Sequence, residues 1–421
     1  MSNKKLMKNI GNWVEGERFW NREAELKLFI ENLEEGANIL LTAQRRIGKT
    51  SLIREAGNRL SNRYECLHID LQGAQSAEDA VVELITVARD HENIWEKTRD
   101  IFSNIWSDLS SRIESIGALE LKIKLRSGIS KGDWQIKGDR IIEALLGSEK
   151  PVILFFDEVP ILVNQILKGK DFKITQERTE EADKFMLWLR RNAQKHQGKL
   201  RMVFTGSIGF EPVLRQAGLS ATINHLKAFE LSPWDEATAV GCLAALANQY
   251  GLKFETGVKE FMVGKLGCGI PHHVQMYFEY VYEYCVKKEE MTCSKGDAKE
   301  VYKHSMLSTR GHVEMSHFEE RLKQVLGSEI LPFVFDLLTE AATEGFLGRE
   351  AIEILGREHK ERFGERGEGE VLREVLGVLE HDGYLKIGSK GHVFESMLLR
   401  DWWKQRFGEY YTPAKKRKIK K

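Results

Sequence analysis

The 421-residue sequence has little cysteine, no surplus of either charge and no long apolar run. Its five cysteines, Cys66, Cys242, Cys268, Cys285 and Cys293, form no CxxC pair and match no zinc-ligand spacing. An odd count without a framework argues against a disulfide scaffold and points to a reducing compartment. Lys plus Arg and Asp plus Glu are equal at 63 each, so any nucleic-acid contact has to come from local patches rather than from overall charge. The longest apolar run, Val152 to Phe156 with its flanks, is sized for a strand and not for a bilayer. The start, Met1-Ser-Asn-Lys-Lys, lacks the apolar centre of a signal peptide. The expectation is a cytoplasmic protein.

The length suggests two to three domains. An apolar fraction of 42% can supply several cores, and the aromatic content argues against wholesale disorder. Ala37 to Thr42 is a short apolar run entering a loop, and Ser51 to Ala56 opens a helical pattern. Tyr64 to Asp70 is a second strand candidate. Residues 78–116 carry amphipathic helical spacing, and Leu119, Leu121, Ile123 and Leu125 alternate with charged residues as in a half-exposed strand or hairpin arm. Gly138 to Leu146 returns to helix. Pro151 to Phe156 is apolar throughout, as in a central parallel strand covered on both faces, and Leu200 to Thr205 is another such strand. Alternating strands and helices imply an α/β sheet.

From Leu231 the pattern turns helical. Ser232 and Pro233 fit a helix cap and first position. Beyond residue 316, helical stretches over Phe318–Ala342, Gly348–Leu355 and Val371–His381 precede an Asp382–Gly383 turn. Two short strands then pair across Gly388 and Gly391, and a last helix runs from Met397 to Phe407. That order is the order of a winged helix-turn-helix. The expected division is 1–230 (α/β domain, with an insertion at about 78–147), 231–315 (helical lid), 316–412 (winged helix) and 413–421 (basic tail).

The segment Ala43-Gln44-Arg45-Arg46-Ile47-Gly48-Lys49-Thr50 matches G-x-x-x-x-G-K-[ST] except at Ala43, and Ser51 continues the helix start. In such a loop, backbone N–H groups wrap phosphates and the helix start adds its positive dipole end. Gly48 permits close approach, Lys49 would neutralise the outer phosphates, and the Thr50 hydroxyl would hold Mg²⁺. Asp157 follows the apolar strand, where a metal-ligating carboxylate belongs, and Glu158 is placed to polarise an attacking water. ATP and Mg²⁺ are therefore the expected ligands. Ser207, in Thr205-Gly-Ser207, fits either a γ-phosphate sensor or a strand-ending turn. Arg190 and Arg191 fit either a trans-acting arginine finger or a helix C-terminus, which favours cations anyway.

Taken in order, these motifs resemble the archaeal-type ATPases of the STAND group, relatives of the AAA+ origin-recognition proteins. The resemblance rests on Arg18-Phe19-Trp20-Asn21-Arg22-Glu23-Ala24-Glu25-Leu26, on the phosphate loop, on Phe155-Phe156-Asp157-Glu158-Val159-Pro160, and on Gly269-Ile270-Pro271. Asn21 stands where that family has glycine. The resemblance implies that Phe19 and Arg22 line the adenine side of a nucleotide and that Pro271 presses a lid onto base or ribose. It also implies a nucleotide-driven switch that assembles with itself or a partner protein. The third helix of the C-terminal unit, with Glu368, Glu370, Arg373 and Glu374, is mostly acidic and so poorly suited to DNA phosphates. Lys386, Lys390 and the Lys415 to Lys421 tail suit them better. The alternative reading is a DNA-bound regulator or defence adaptor in which ATP is structural.

Overall fold

In the computed structural model, residues 6–9, 11, 13–91 and 117–417 are described. They fold into two compact units. One comprises Arg22–Ala43 and Lys49–Leu231; the other holds the chain before Arg22, the short stretch Gln44–Gly48, and everything from Ser232 onward.

The first unit is an α/β layer structure. Helix α1 (Glu23–Glu34) buries Leu26, Phe29 and Leu33 at three- and four-residue spacing, one stripe of a helix. Strand β1 (Ile39–Thr42) is buried through Leu41 and leads into the loop ahead of α2 (Lys49–Leu60). Strand β2 (Glu65–Asp70) and helix α3 (Ala77–Asp90) follow, the helix capped by the Ser76 hydroxyl accepting from the Asp79 N–H. Residues 92–116, part of the expected helical insertion, lie outside the described residues.

Next comes α4 (Ala118–Gly128), where the alternation of Leu119, Leu121, Ile123 and Leu125 had suggested a strand. Leu121 and Leu125 are buried and Ile123 is 61% exposed, so the useful spacing is four residues and not two. Lys124 pairs with Glu120 one turn away at 2.9 Å, and Lys122 reaches Glu83 on α3 at 2.6 Å. Helix α5 (Trp134–Leu145) precedes β3 (Val152–Asp157), then α6 (Val159–Lys168), α7 (Gln176–Lys195), β4 (Leu200–Thr205), α8 (Phe210–Gln216) and β5 (Lys227–Glu230).

The five strands form one parallel sheet in the order β2-β3-β4-β1-β5. Strands β3 and β4 are interior, and their residues up to Phe156 and Thr205 are buried, which is why both read as continuous apolar runs. With β4 inserted between β1 and β3, the carboxyl ends of these three strands lie side by side, the edge at which open α/β sheets carry their ligands.

The second unit is mostly helical. Helix α9 (Glu236–Tyr250) is followed by β6 (Lys253–Phe254), α10 (Val258–Leu266), α11 (Pro271–Lys287), β7 (Thr292–Cys293) and α12 (Lys295–Val301), with β6 and β7 paired in parallel. The cap of α9 is Asp235, whose carboxylate accepts from the Thr238 N–H, and not Ser232. Trp234 stays outside the helix because it is held in an antiparallel bridge with Gly269, its N–H donating to the Gly269 carbonyl.

Helices α13 (Thr309–Leu326) and α14 (Leu331–Glu344) replace the single stretch expected over Phe318–Ala342. Gly327, at φ 84°, and Pro332 in the first turn of α14 enforce the break. Then come α15 (Arg349–Glu358), α16 (Glu368–His381), the antiparallel pair β8 (Leu385–Gly388) and β9 (Gly391–Phe394), and α17 (Met397–Phe407). The hairpin turns between Gly388 and Gly391, as the sequence suggested. Trp403 Nε1 donates to Thr339 Oγ1 at 3.0 Å, and the buried Tyr384 hydroxyl donates to the Phe318 carbonyl at 2.7 Å, tying α17 to α14 and the hairpin to α13. No helix among the described residues is long and apolar enough to cross a membrane.

Candidate nucleotide site

At the carboxyl edge of the sheet, three strand ends supply polar groups. After β1, the first turn of α2 presents Lys49, Thr50 and Ser51. Lys49 is only 8% exposed, and its Nζ donates to the Ala43 carbonyl at 2.8 Å. The Thr50 hydroxyl donates to Asp157 Oδ2, at the end of β3, at 3.0 Å. Burial, and then the charge of adjacent Glu158, push the Asp157 carboxyl up to about 6, while the Thr50 hydrogen bond and Lys49 pull the other way. Asp70, at the end of neighbouring β2 and in register with Asp157, adds a further upward push. Crowded carboxylates beside a hydroxyl form an oxygen donor set that favours a hard divalent cation.

Glu158 is held at φ 63°, a left-handed conformation that non-glycine residues seldom adopt. Its Oε2 accepts two hydrogen bonds from Ser207 beyond β4, from the backbone N–H at 2.9 Å and from the hydroxyl at 2.6 Å. Ser207 therefore fixes the carboxylate beside the metal-ligating candidate. Gly206 is required between them, because a Cβ there would lie 2.5 Å from Pro160 Cδ, in the first turn of α6.

The loop itself departs from expectation in one respect. Ala43, the non-glycine at the first motif position, is not among the positive-φ residues; the left-handed positions are Arg46, at φ 67°, and Gly48, at φ 104°. Alanine is thus unstrained at the loop entry, and the strain falls on Arg46. Ile47 is buried. The stretch Gln44–Gly48 belongs to the second unit and makes specific contacts there. Gln44 Nε2 donates to Glu395, just after β9. Arg46 reaches Glu314 Oε2, on α13, at 3.4 Å, and the same oxygen lies 3.1 Å from His272 Nε2 at the start of α11. The Arg45 charge acts on Glu314 and on the half-buried His317.

The remaining candidates belong to both units. Arg22 is buried at the start of α1 and bonded to Glu25 at 3.0 Å; burial lowers its pKa and Glu25 opposes the change. Phe19 is a buried aromatic of the second unit. Pro271 opens α11 directly before His272. Gly269 is needed for space: a Cβ there would lie 2.1 Å from the Trp234 carbonyl oxygen. Arg190 and Arg191, on α7, border a cavity of about 440 Å³ with Lys184, Leu187 and Trp188. Arg191 donates to Asp139 on α5 at 2.9 Å, and the same carboxylate accepts from Trp188 Nε1 and Asn192. Of the expected basic tail, residues 418–421 lie outside the described residues; Lys415 pairs with Glu350, and Arg417 with Asp336 and Glu358, acids of the same unit.

Residues 49–51, 157, 158 and 207 are thus brought to one sheet edge. Glu314, Glu395 and Asp139 escaped sequence reasoning. They lie 268, 351 and 52 positions from Arg46, Gln44 and Arg191, with no local pattern marking them.

The parallel sheet, the strand–loop–helix at β1 and the carboxylate at the end of β3 define the α/β P-loop NTPase fold with a helical C-terminal part. The chain is similar to the Walker-type ATPase PABY2304 of Pyrococcus abyssi, with 17% identity, 94% of this chain and 99% of that one covered, and a TM-score of 0.57. It is also similar to the Aeropyrum pernix ORC2 protein, solved as ADPNP–ADP complexes, with 11% identity, 92% and 93% coverage, and a TM-score of 0.50. No protein-family model and no curated protein matches the chain.

Proposed function

We propose that this chain is an ATP-binding and ATP-hydrolysing switch of the STAND/AAA+ type. The observation that carries the proposal is the Thr50–Asp157 hydrogen bond at 3.0 Å, with Glu158 beside it and anchored twice on Ser207. A hydroxyl and a carboxylate at these positions suit Mg²⁺, which would neutralise charge on the β- and γ-phosphates. Lys49, freed from the Ala43 carbonyl, would neutralise the same oxygens. Glu158 would orient a water for in-line attack and accept its proton as the terminal phosphate departs. The similar fold of a protein solved with ADPNP and ADP supports a nucleotide as ligand.

The nucleotide state would act on the helical C-terminal part, whose last helices and β8–β9 hairpin follow the order of a winged helix. A ligand biases such a switch only by its differential affinity for the two states. Self-assembly or a partner protein would read the change, with Arg190 as the freer of the two arginine-finger candidates. The alternative, a DNA-bound regulator with negligible turnover, draws support from the hairpin, where Ile387 is 78% exposed between Lys386 and the Lys390 turn.

The test is Glu158→Gln. ATP binding is expected to persist while hydrolysis falls by about 100- to 10,000-fold. Wild-type hydrolysis in the variant rejects the assignment. Turnover measured with and without duplex DNA separates the two readings.

A further inference from the structure

Within the second unit, the guanidinium of Arg46 is poorly satisfied. Its ion pair to Glu314 Oε2, the one it makes among the described residues, is 3.4 Å long, whereas charge-assisted N–H···O⁻ bonds settle near 2.7–2.9 Å. Its Nε is buried and has no hydrogen-bond partner. Its backbone is held at φ 67°. A cation in a strained loop, with a long bond and an orphaned donor, is short of an anion. Glu314, by contrast, is well held. His272 is buried against the same Oε2 at 3.1 Å, and burial keeps its imidazole below the usual range, so it acts as a neutral N–H donor. The next residue, His273, is fully enclosed with both ring nitrogens unpartnered. His317 is pushed far down by burial and then by Arg45 and Arg46. Burial holds the imidazoles of His272, His273 and His317 below the usual range, and the charge of Arg46 pushes each further down, so none of them is an anionic partner for it; among the described residues its ion-pair partner is Glu314. A few residues away, Gln44 is tied to Glu395.

We propose that Glu314, oriented by His272, is a latch that occupies Arg46 in the nucleotide-free protein and is displaced by the phosphoryl groups of a bound nucleotide. The inference rests on the phosphate-loop reading above and adds the competition between one carboxylate and the phosphates. A phosphate offers several acceptor oxygens to the guanidinium fork, including a partner for the orphaned Nε, so it outbids a single long contact. Exchange of partners at Arg46 releases Glu314, and with it α13, which makes the loop a sensor of occupancy as well as a cradle.

The experiment uses the full chain in wild-type form and as Glu314→Gln, His272→Asn and Lys49→Ala. Two quantities are read: affinity for ATP and ADP, and amide hydrogen exchange over residues 44–48 without nucleotide. Glu314→Gln is expected to tighten ATP binding at least fivefold and to speed exchange of the loop. His272→Asn should move both in the same direction by less. Unchanged or weaker ATP affinity in Glu314→Gln, with wild type binding ATP, overturns the latch. If wild type and Lys49→Ala fail alike to bind ATP, the phosphate-loop reading falls instead. The latch as a nucleotide-displaced contact then falls with it, while equal exchange rates in wild type and Glu314→Gln reject the Glu314 hold on the loop by themselves.

Discussion

Ser207 donates both its backbone N–H and its hydroxyl to one oxygen of Glu158, at 2.9 and 2.6 Å. The pair joins the ends of β3 and β4, neighbouring strands of the sheet. Two hydrogen bonds to one oxygen fix the orientation of that carboxylate.

Ser207→Ala keeps the backbone donor and removes the shorter bond. The expected result is a kcat lower by about tenfold with KM nearly unchanged, since orientation rather than nucleotide contact is lost. Steady-state ATPase kinetics check this, and a large rise in KM with normal kcat would instead make Ser207 a phosphate contact.

Lys49→Ala removes the one buried ammonium at the start of α2. ATP affinity is expected to fall at least tenfold, by fluorescent-nucleotide titration. The fold should survive, because the lost bond runs to a carbonyl at the open end of a loop.

The pH dependence follows from Asp157, whose carboxyl is held at about 6. Below that pH the folded protein keeps the proton and a metal ion has to displace it. Mg²⁺-dependent nucleotide affinity should therefore drop by about tenfold per pH unit below about 6. The stability linkage has the opposite sense. The folded state binds this proton more tightly than the unfolded chain does, so metal-free stability declines as pH rises from the usual carboxylate value to about 6. Asp157→Asn removes that decline, and melting curves from pH 4 to 7 without Mg²⁺ should show it flattened.

Gly269→Ala places a methyl against the Trp234 carbonyl, at a backbone contact that no rotamer change can relieve. The bridge between Trp234 and Gly269 would open, at a cost of about 1–3 kcal/mol. Denaturant unfolding measures this. An unaffected midpoint would mean that the bridge contributes nothing to stability.

Much of the sheet unit was legible. The apolar run 152–156 announces an interior strand because burial on both faces leaves no polar positions. The phosphate loop and Asp157–Glu158 stand at strand ends that the local pattern marks. The hairpin at Gly388 and Gly391 was equally plain. Elsewhere a short window misled. Four residues in alternation, Leu119 to Leu125, also contain a spacing of four, and contact with α3 selected the helix. Ser232 is a good cap by type, but the Trp234 bridge to Gly269 moved the helix start to Asp235. Arg191 gave no sign of Asp139, nor Arg46 of Glu314, because pairing across 52 and 268 positions is decided by tertiary packing alone.

The stretch Gln44–Gly48 belongs to one compact unit while the residues on either side of it belong to the other. The chain therefore cannot be cut at Leu231 into two self-sufficient pieces. A fragment ending there would carry Gln44 and Arg46 without their partners Glu395 and Glu314, and the complementary fragment would carry the partners alone. Co-translationally, Gln44 and Arg46 meet these partners only after Glu314 and Glu395 have been synthesised.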